Sequence, residues 1–277
     1  MQIFREKEAL QNYISSISGK VGFVPTMGAL HDGHLQLVRE AKRNAAFVVA
    51  SVFVNPTQFN NADDLKNYPR DEDGDRAKLE AAGCDAVWFP TEAEMYPNGT
   101  KSDHFDLGRL EEVMEGEFRT GHFQGVATIV NELFNSVKPD VAIFGEKDFQ
   151  QVAVIRRMAS LMNHQIDIIA VPTIREKDGL AMSSRNLLLE PSYREAAPVI
   201  YRMMKWAVES KSNYSPKEAA AEVADQINAA GLKVEYVRIA DSNSLQTLER
   251  WSDSNDPRIF VAAFAGSVRL IDNLSLN

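Results

Sequence analysis

The stretch Val21-Gly22-Phe23-Val24-Pro25-Thr26-Met27-Gly28-Ala29-Leu30-His31-Asp32-Gly33-His34 decides how this chain is read. Its first four residues are apolar and read as a short buried strand. A glycine-bearing turn follows, and a helical pattern begins at the second histidine and runs over residues 34–44. Leu35, Val38 and Ala41 fall on one face of that helix, with Arg39, Glu40, Lys42 and Arg43 toward water. A strand, a glycine turn and a helix start together make an anion site, because the first helical N–H groups lack internal partners and the dipole is positive there. His31 and His34 stand three residues apart, so both imidazoles can reach one ligand from the first turn. The competing reading is a plain turn with two surface histidines.

Working outward, strand-like and helix-like segments alternate. Residues 47–54 are nearly all apolar, the pattern of a parallel strand covered on both faces. Residues 71–82 read as a helix and 85–89 as a strand. Residues 128–137 read as a helix that Pro139 breaks, before a strand over 141–144. Residues 149–162 read as a helix and 166–171 as a strand. The order predicts an α/β fold, a Rossmann-like doubly wound parallel sheet, over residues 1–176. The pattern then changes. Helices are expected over 192–210 and 215–230, the second with Ser215 as cap, Pro216 in its first turn and Gly231 at its end. Strands follow over 234–239, 258–264 and 268–271, the last two forming a hairpin around Gly266. Residues 177–277 therefore read as a smaller C-terminal α+β domain.

Composition narrows the function. The 277 residues are 44% apolar and 25% charged, ordinary for a globular protein long enough to bury a core. The net charge of −9 argues against a nucleic-acid partner, which would call for a basic face. A small phosphate site needs only a few local cations and stays open. Cys84 is the single cysteine, so no disulfide closes within the chain, and it reads as a small buried thiol. The N-terminal residues lack a signal-peptide apolar region, and the longest apolar stretch, residues 45–54, is too short to span a bilayer. A cytoplasmic protein with no membrane partner is expected.

Several strands end in polar clusters, and in open parallel sheets the ligand crevice lies beyond the carboxyl ends of the strands. After the second apolar run come Asn55-Pro56-Thr57-Gln58-Phe59, where neutral amides suit a small hydroxylated acid. After residue 144 come Gly145-Glu146-Lys147-Asp148-Phe149-Gln150-Gln151, with Lys147 as a phosphate ligand and Asp148 as a cap. After residue 171 come Asp178-Gly179-Leu180-Ala181-Met182-Ser183-Ser184-Arg185-Asn186, where a guanidinium can fork two phosphate oxygens beside two hydroxyls. Each cluster also reads as a solvated turn or a linker. The acids Asp71, Glu72, Asp73 and Asp75 suit Mg²⁺, and equally suit the dipole of a helix start.

Together these strings resemble a known family. His31-Asp32-Gly33-His34 and Met182-Ser183-Ser184-Arg185 are similar to the paired signatures of the nucleotidyltransferase superfamily. Residues 24–34, 53–59, 144–151 and 178–186, with Gly121-His122-Phe123-Gln124-Gly125-Val126, resemble the pantoate–β-alanine ligase (pantothenate synthetase) family, in the right order over about residues 20–190. The resemblance implies a two-step ligation. The carboxylate of (R)-pantoate attacks the α-phosphorus of ATP to give pantoyl adenylate and pyrophosphate. The amine of β-alanine then displaces AMP to give pantothenate. It implies ATP contacts at Met27, Gly28, Ala29, Leu30, His31, Asp32, Gly33, His34, Gly145, Glu146, Lys147, Asp148, Ile174, Met182, Ser183, Ser184 and Arg185. It places pantoate on Gln58 and Gln151, with β-alanine beside Gln58, and marks His34 as proton donor. Asn55 joins the substrate set on its residue type. His31, His34, Lys147, Arg185 and Mg²⁺ would supply positive charge to the phosphates.

Relatives tend to carry adjacent acids near positions 74 and 75; here Gly74 leaves Asp75 as the one matching metal candidate. The resemblance also implies a homodimer, and a C-terminal domain that closes over the ATP site. The polar residues 60–64 are a candidate lid. Two other classes remain open on the residues: a transferase of the same superfamily that leaves the nucleotide on its product, and a nucleotide sensor without catalysis.

Overall fold

A computed structural model describes residues 1–60 and 62–277. The chain divides into two compact units, Met1–Pro172 and Thr173–Asn277. The first contains β1 (Gln2–Phe4), α1 (Lys7–Ser15), β2 (Val21–Thr26), α2 (Asp32–Asn44), β3 (Phe47–Val52), α3 (Ala62–Asn67), α4 (Glu72–Ala81), β4 (Ala86–Trp88), α5 (Glu92–Met95), α6 (Glu115–Phe118), α7 (His122–Val137), β5 (Val141–Gly145), α8 (Phe149–Leu161) and β6 (Asp167–Val171). The six strands form one parallel sheet in the order β1-β4-β3-β2-β5-β6.

Strand pleating distributes the apolar residues to both faces. In β3, Val49 joins a core with Phe23, Phe123, Phe134, Ile155 and Met158. Its neighbours Val48 and Ala50 join a second core with Leu37, Val38, Ala41 and Leu79. Helices α1, α7 and α8 therefore cover one face, and α2 and α4 the other. Cys84 is free and buried, and burial pushes its thiol up to about 12. A thiol so protonated is a packing group rather than a nucleophile.

The topology also fixes where a ligand crevice forms. From β2 the chain runs to β3 and β4 on one side, then crosses back to β5 and β6 on the other. The order reverses between β2 and β5, and the crevice of an open α/β sheet lies at that reversal, beyond the strand carboxyl ends. The loops after β2 and β5 carry the His31–His34 and Gly145–Asp148 segments.

The second unit has α9 (Pro191–Ala196), α10 (Val199–Glu209), α11 (Pro216–Ala229), β7 (Lys233–Asp241), β8 (Pro257–Ala265) and β9 (Val268–Ser275). The strands form an antiparallel sheet in the order β7-β8-β9. Ile200, Met204, Val223, Ile227, Ile239, Ile259 and Val261 form its core. Among the described residues no helix is long and apolar enough to cross a membrane.

Three sequence expectations need correction. The helix expected over 192–210 is two helices, because Pro198 separates α9 from α10. Helix α7 begins at His122 rather than at residue 128, with Gly121 in a left-handed conformation at its cap and Gly125 inside it. The chain start, to which the sequence pattern assigns no element, holds β1 and α1, and β1 pairs with β4 at the sheet edge. Residue 61, within the expected lid, lies outside the described residues.

Candidate active site

The loop from β2 into α2 adopts a conformation that glycine makes possible. Gly28 has φ +81°, and a Cβ there would lie 2.9 Å from Asp75 Oδ2 and 3.0 Å from Val52 Cγ1. Ala29, with φ 49°, is also left-handed, which an L-residue enters at some cost. What holds it there is Asp75, which is 1% exposed. Its Oδ2 accepts from Ala29 N–H at 2.9 Å and its Oδ1 from Leu30 N–H at 2.7 Å. One turn on, Lys78 Nζ donates to the Leu30 carbonyl at 2.8 Å. Positions 75 and 78 share a face of α4, so one helix grips the loop through three backbone groups.

That grip delivers the two histidines. His31 is the N-cap of α2 and His34 its third helical residue. Their rings stack with centroids 4.0 Å apart. His34 Nδ1 accepts from the His31 backbone N–H at 3.3 Å. The proton of a neutral His34 therefore sits on Nε2, which is left as a donor. His31 Nδ1 is buried without a hydrogen-bond partner. Burial, the neighbouring imidazole and Lys147 hold His34 well below the usual imidazole range. Burial first, then Lys147, lower His31 to about 4. By sequence alone both rings count as positive charge for phosphates. In this site they are neutral donors near pH 7, and the cation among the first unit's expected ATP contacts is Lys147. Its Nζ lies 3.4 Å from Asp148 Oδ1 in the turn Glu146–Asp148 after β5.

Beyond β3, the turn Pro56–Gln58 carries the expected acid-binding amides. Asn55 is 1% exposed, and its Nδ2 donates to Gln58 Oε1 and to the Gly125 carbonyl, both at 3.1 Å. Gln58 Nε2 faces Met27 Sδ at 3.2 Å, which joins this turn to the histidine loop. The Gln58 carbonyl accepts from His122 Nδ1 at 2.8 Å and from Arg119 at 3.2 Å. Gly125 lets α7 approach this turn, because a Cβ there would fall 2.5 Å from the Thr57 carbonyl oxygen. His122 and Gly125 fall in the string 121–126 that carries the family resemblance, which does not specify these contacts, and Arg119 lies outside it.

On α8 the paired glutamines separate by burial. Gln150 is buried, and its amide donates to the Leu110 and Val113 carbonyls and accepts from Glu115 N–H. Gln151 is half-buried and takes no part in that network.

The remaining expected contacts belong to the second unit. A bridge between Arg175 and Ala181 folds residues 175–181 into a small hairpin, tied down by the Arg175–Asp272 ion pair and by Arg175 stacked 3.9 Å over the Tyr201 ring. Ile174 and Met182 flank it, joined by a backbone bond from Met182 N–H to the Ile174 carbonyl at 3.0 Å. Ser183 caps the turn Ser184–Leu188, its hydroxyl accepting from Arg185 N–H at 3.3 Å.

Asp75, the expected metal ligand, has both oxygens engaged by loop amides. No group of three or more His, Cys, Asp or Glu residues among the described residues could hold a metal ion. At the start of α4, Asp71 caps the helix by accepting from Gly74 N–H.

A sequence model of pantoate–β-alanine ligase matches residues 2–275. The chain belongs to the pantoate–β-alanine ligase family. It is 46% identical to a pantothenate synthetase of Porphyromonas gingivalis over 99% of both chains. It is 49% identical to that of Aliivibrio fischeri over 99% of this chain and 96% of the relative. Its fold is similar to the crystal structure of pantothenate synthetase from Thermus thermophilus, with TM-score 0.93, 42% identity and coverage of 100% and 99%. It is also similar to pantoate–β-alanine ligase from Francisella tularensis, described as complexed with β,γ-ATP and β-alanine, with TM-score 0.86, 35% identity and coverage of 100% and 98%.

Two outcomes are expected of these family features. Asp75→Asn sets an NH₂ against one of the two loop N–H groups. It should cost about 1–3 kcal/mol in urea denaturation, the penalty of a buried unsatisfied donor; an unchanged midpoint would remove the brace. The second outcome concerns pH. An unfolded histidine takes up a proton near pH 6.5, whereas His31 does so at about 4 and His122, with burial as the main cause, at about 3. Below pH 6.5 the unfolded chain thus binds protons that the fold refuses. Stability should fall with pH by up to about 1.4 kcal/mol per unit for each such ring. His122→Gln should flatten that slope by one proton's worth between about pH 6 and 4.5.

Proposed function

We propose that this protein condenses (R)-pantoate with β-alanine, using ATP and releasing AMP and pyrophosphate, as a step of pantothenate formation. The observation that carries the reading is the convergence of the β2, β3 and β5 loops at the chain reversal, within a family match that spans residues 2–275. The chemistry is an acyl activation. A pantoate carboxylate oxygen attacks the α-phosphorus of ATP, and the bond to pyrophosphate breaks. The free amine of β-alanine then attacks the acyl carbon, AMP leaves with the bonding pair, and the amine gives up a proton to solvent. No covalent enzyme intermediate is needed, so the protein's contribution is placement and charge.

Residue roles follow the loops. Met27, Gly28, Ala29, Leu30, His31, Asp32, Gly33 and His34 line the first ATP-facing wall, and Gly145, Glu146, Lys147 and Asp148 the second. His34 is supported as proton donor by its Nε2–H, and Lys147 as the phosphate cation. Gln58 and Gln151 hold pantoate, with Asn55 behind Gln58. Ile174, Met182, Ser183, Ser184 and Arg185 are ATP contacts by resemblance. Mg²⁺ enters as an ion that ATP brings, with no protein step assigned to it. The reading also carries a cytoplasmic location, in keeping with a single unpaired cysteine, and a homodimer by resemblance.

A coupled AMP-release assay tests this. Turnover should require ATP, pantoate and β-alanine together; ATP consumption indifferent to pantoate would overturn it. His34→Ala should abolish pantoyl-adenylate formation in a single turnover while the melting curve stays cooperative. Near-normal adenylation in that variant would remove His34 from the chemistry.

A further inference from the structure

Tyr96 lies outside every motif considered above, in the segment after α5. It is 7% exposed, and its hydroxyl donates to Asn55 Oδ1. Thr57 Oγ1 also donates to Asn55 Oδ1, at 3.1 Å, and lies 2.9 Å from the Tyr96 hydroxyl. Asn55 Oδ1 thus meets two hydroxyls while Asn55 Nδ2 meets two carbonyl-type oxygens, those of Gly125 and Gln58. An amide has a direction, and this one cannot be reversed. Turned over, Asn55 would set its oxygen against two acceptors and its NH₂ toward the hydroxyls.

The direction passes on to Gln58. Its Oε1 is engaged by Asn55, so the group left to face outward is its NH₂, whose neighbour is the weak acceptor Met27 Sδ. Resting on the assignment of Gln58 to pantoate, we propose that Tyr96 is a positioning residue that fixes Gln58 as a hydrogen-bond donor, so that the turn selects an oxygen acceptor on the acid. The phenol suits this work. Burial raises its pKa from the ordinary value, so it stays a donor at working pH. Main chain backs the relay at both ends: the Gly125 carbonyl orients Asn55, and His122 with Arg119 clamps the Gln58 carbonyl.

The test is steady-state kinetics on the whole enzyme for Tyr96→Phe, Gln58→Ala and the double variant. Tyr96→Phe should raise the pantoate KM about tenfold, the scale of one buried hydrogen bond, and leave the ATP KM within about twofold. In the Gln58→Ala background the same change should add nothing, because the two residues act in series. An unchanged pantoate KM in Tyr96→Phe would overturn the proposal. So would an equal rise in both KM values, or a full effect that persists without the Gln58 side chain. Should Tyr96→Phe fail to fold, Thr57→Val, which removes the other hydroxyl on Asn55 Oδ1, carries the same comparison. The assignment of Gln58 fails separately: it falls if Gln58→Ala alone leaves the pantoate KM unaltered, whatever Tyr96→Phe does.

Discussion

One carboxylate holding two peptide N–H groups is the interaction on which the rest of the site depends. The loop after β2 must turn sharply to bring a helix start beyond the strand carboxyl ends, and it does so through two consecutive left-handed residues, Gly28 and Ala29. Such a turn would relax without an outside hold. Asp75 and Lys78 supply that hold from α4, which packs on the same face of the sheet as α2. Because the carboxylate accepts at Ala29 and Leu30, the chain enters α2 with His31 as its cap and His34 stacked behind it. An acid that reads as a metal ligand in sequence is thus the fastening of the histidine loop.

The turn after β3 is supported differently. Here the agents are a helix packed unusually close and a set of amides with enforced direction. Helix α7 reaches the turn because Gly125 offers no Cβ, and once there it clamps one main-chain oxygen from His122 and gives another to Asn55. Burial keeps His122 neutral, so its hydrogen bond to Gln58 is that of a donor without charge. Two neutral histidine sites, one in the loop and one behind the turn, leave Lys147 as the cation of these three loops. Neutral imidazoles beside the Lys147 ammonium suit a reaction in which a carboxylate must approach phosphate groups that are already anionic.

The parallel sheet and the strand-end clusters were legible because both rest on local pattern. Apolar runs such as residues 47–54 mark strands buried on two faces, and the amphipathic stripe of α2 repeats at helical spacing. The helix over 192–210 misled because its apolar spacing continues across Pro198, which divides it. The start of α7 misled because glycines at 121 and 125 resemble a loop; the second serves close packing, which only the partner turn explains. The grip of Asp75 on the loop left no mark in the sequence, since an acid in a first helical turn looks the same whether it faces water or a buried amide. Tyr96 left no local trace: it meets Asn55 across 41 residues of sequence. His31 and His34 were found by their spacing, but their neutrality comes from burial, a tertiary property.

The adjacency of β2 and β5 also governs how this protein comes into being. Asp140, at the threshold of β5, accepts from Val21 N–H across 119 residues of sequence. The left half of the sheet, β2 with β3 and β4, is complete while most of the chain is still to be synthesised. Lys147 cannot join the histidine loop until β5 has emerged and closed that long loop, a step that raises contact order and slows folding. A nascent chain therefore holds the imidazoles before it holds the ammonium. The first unit's histidine and lysine loops are brought together in one late event, when the centre of the sheet is zipped together.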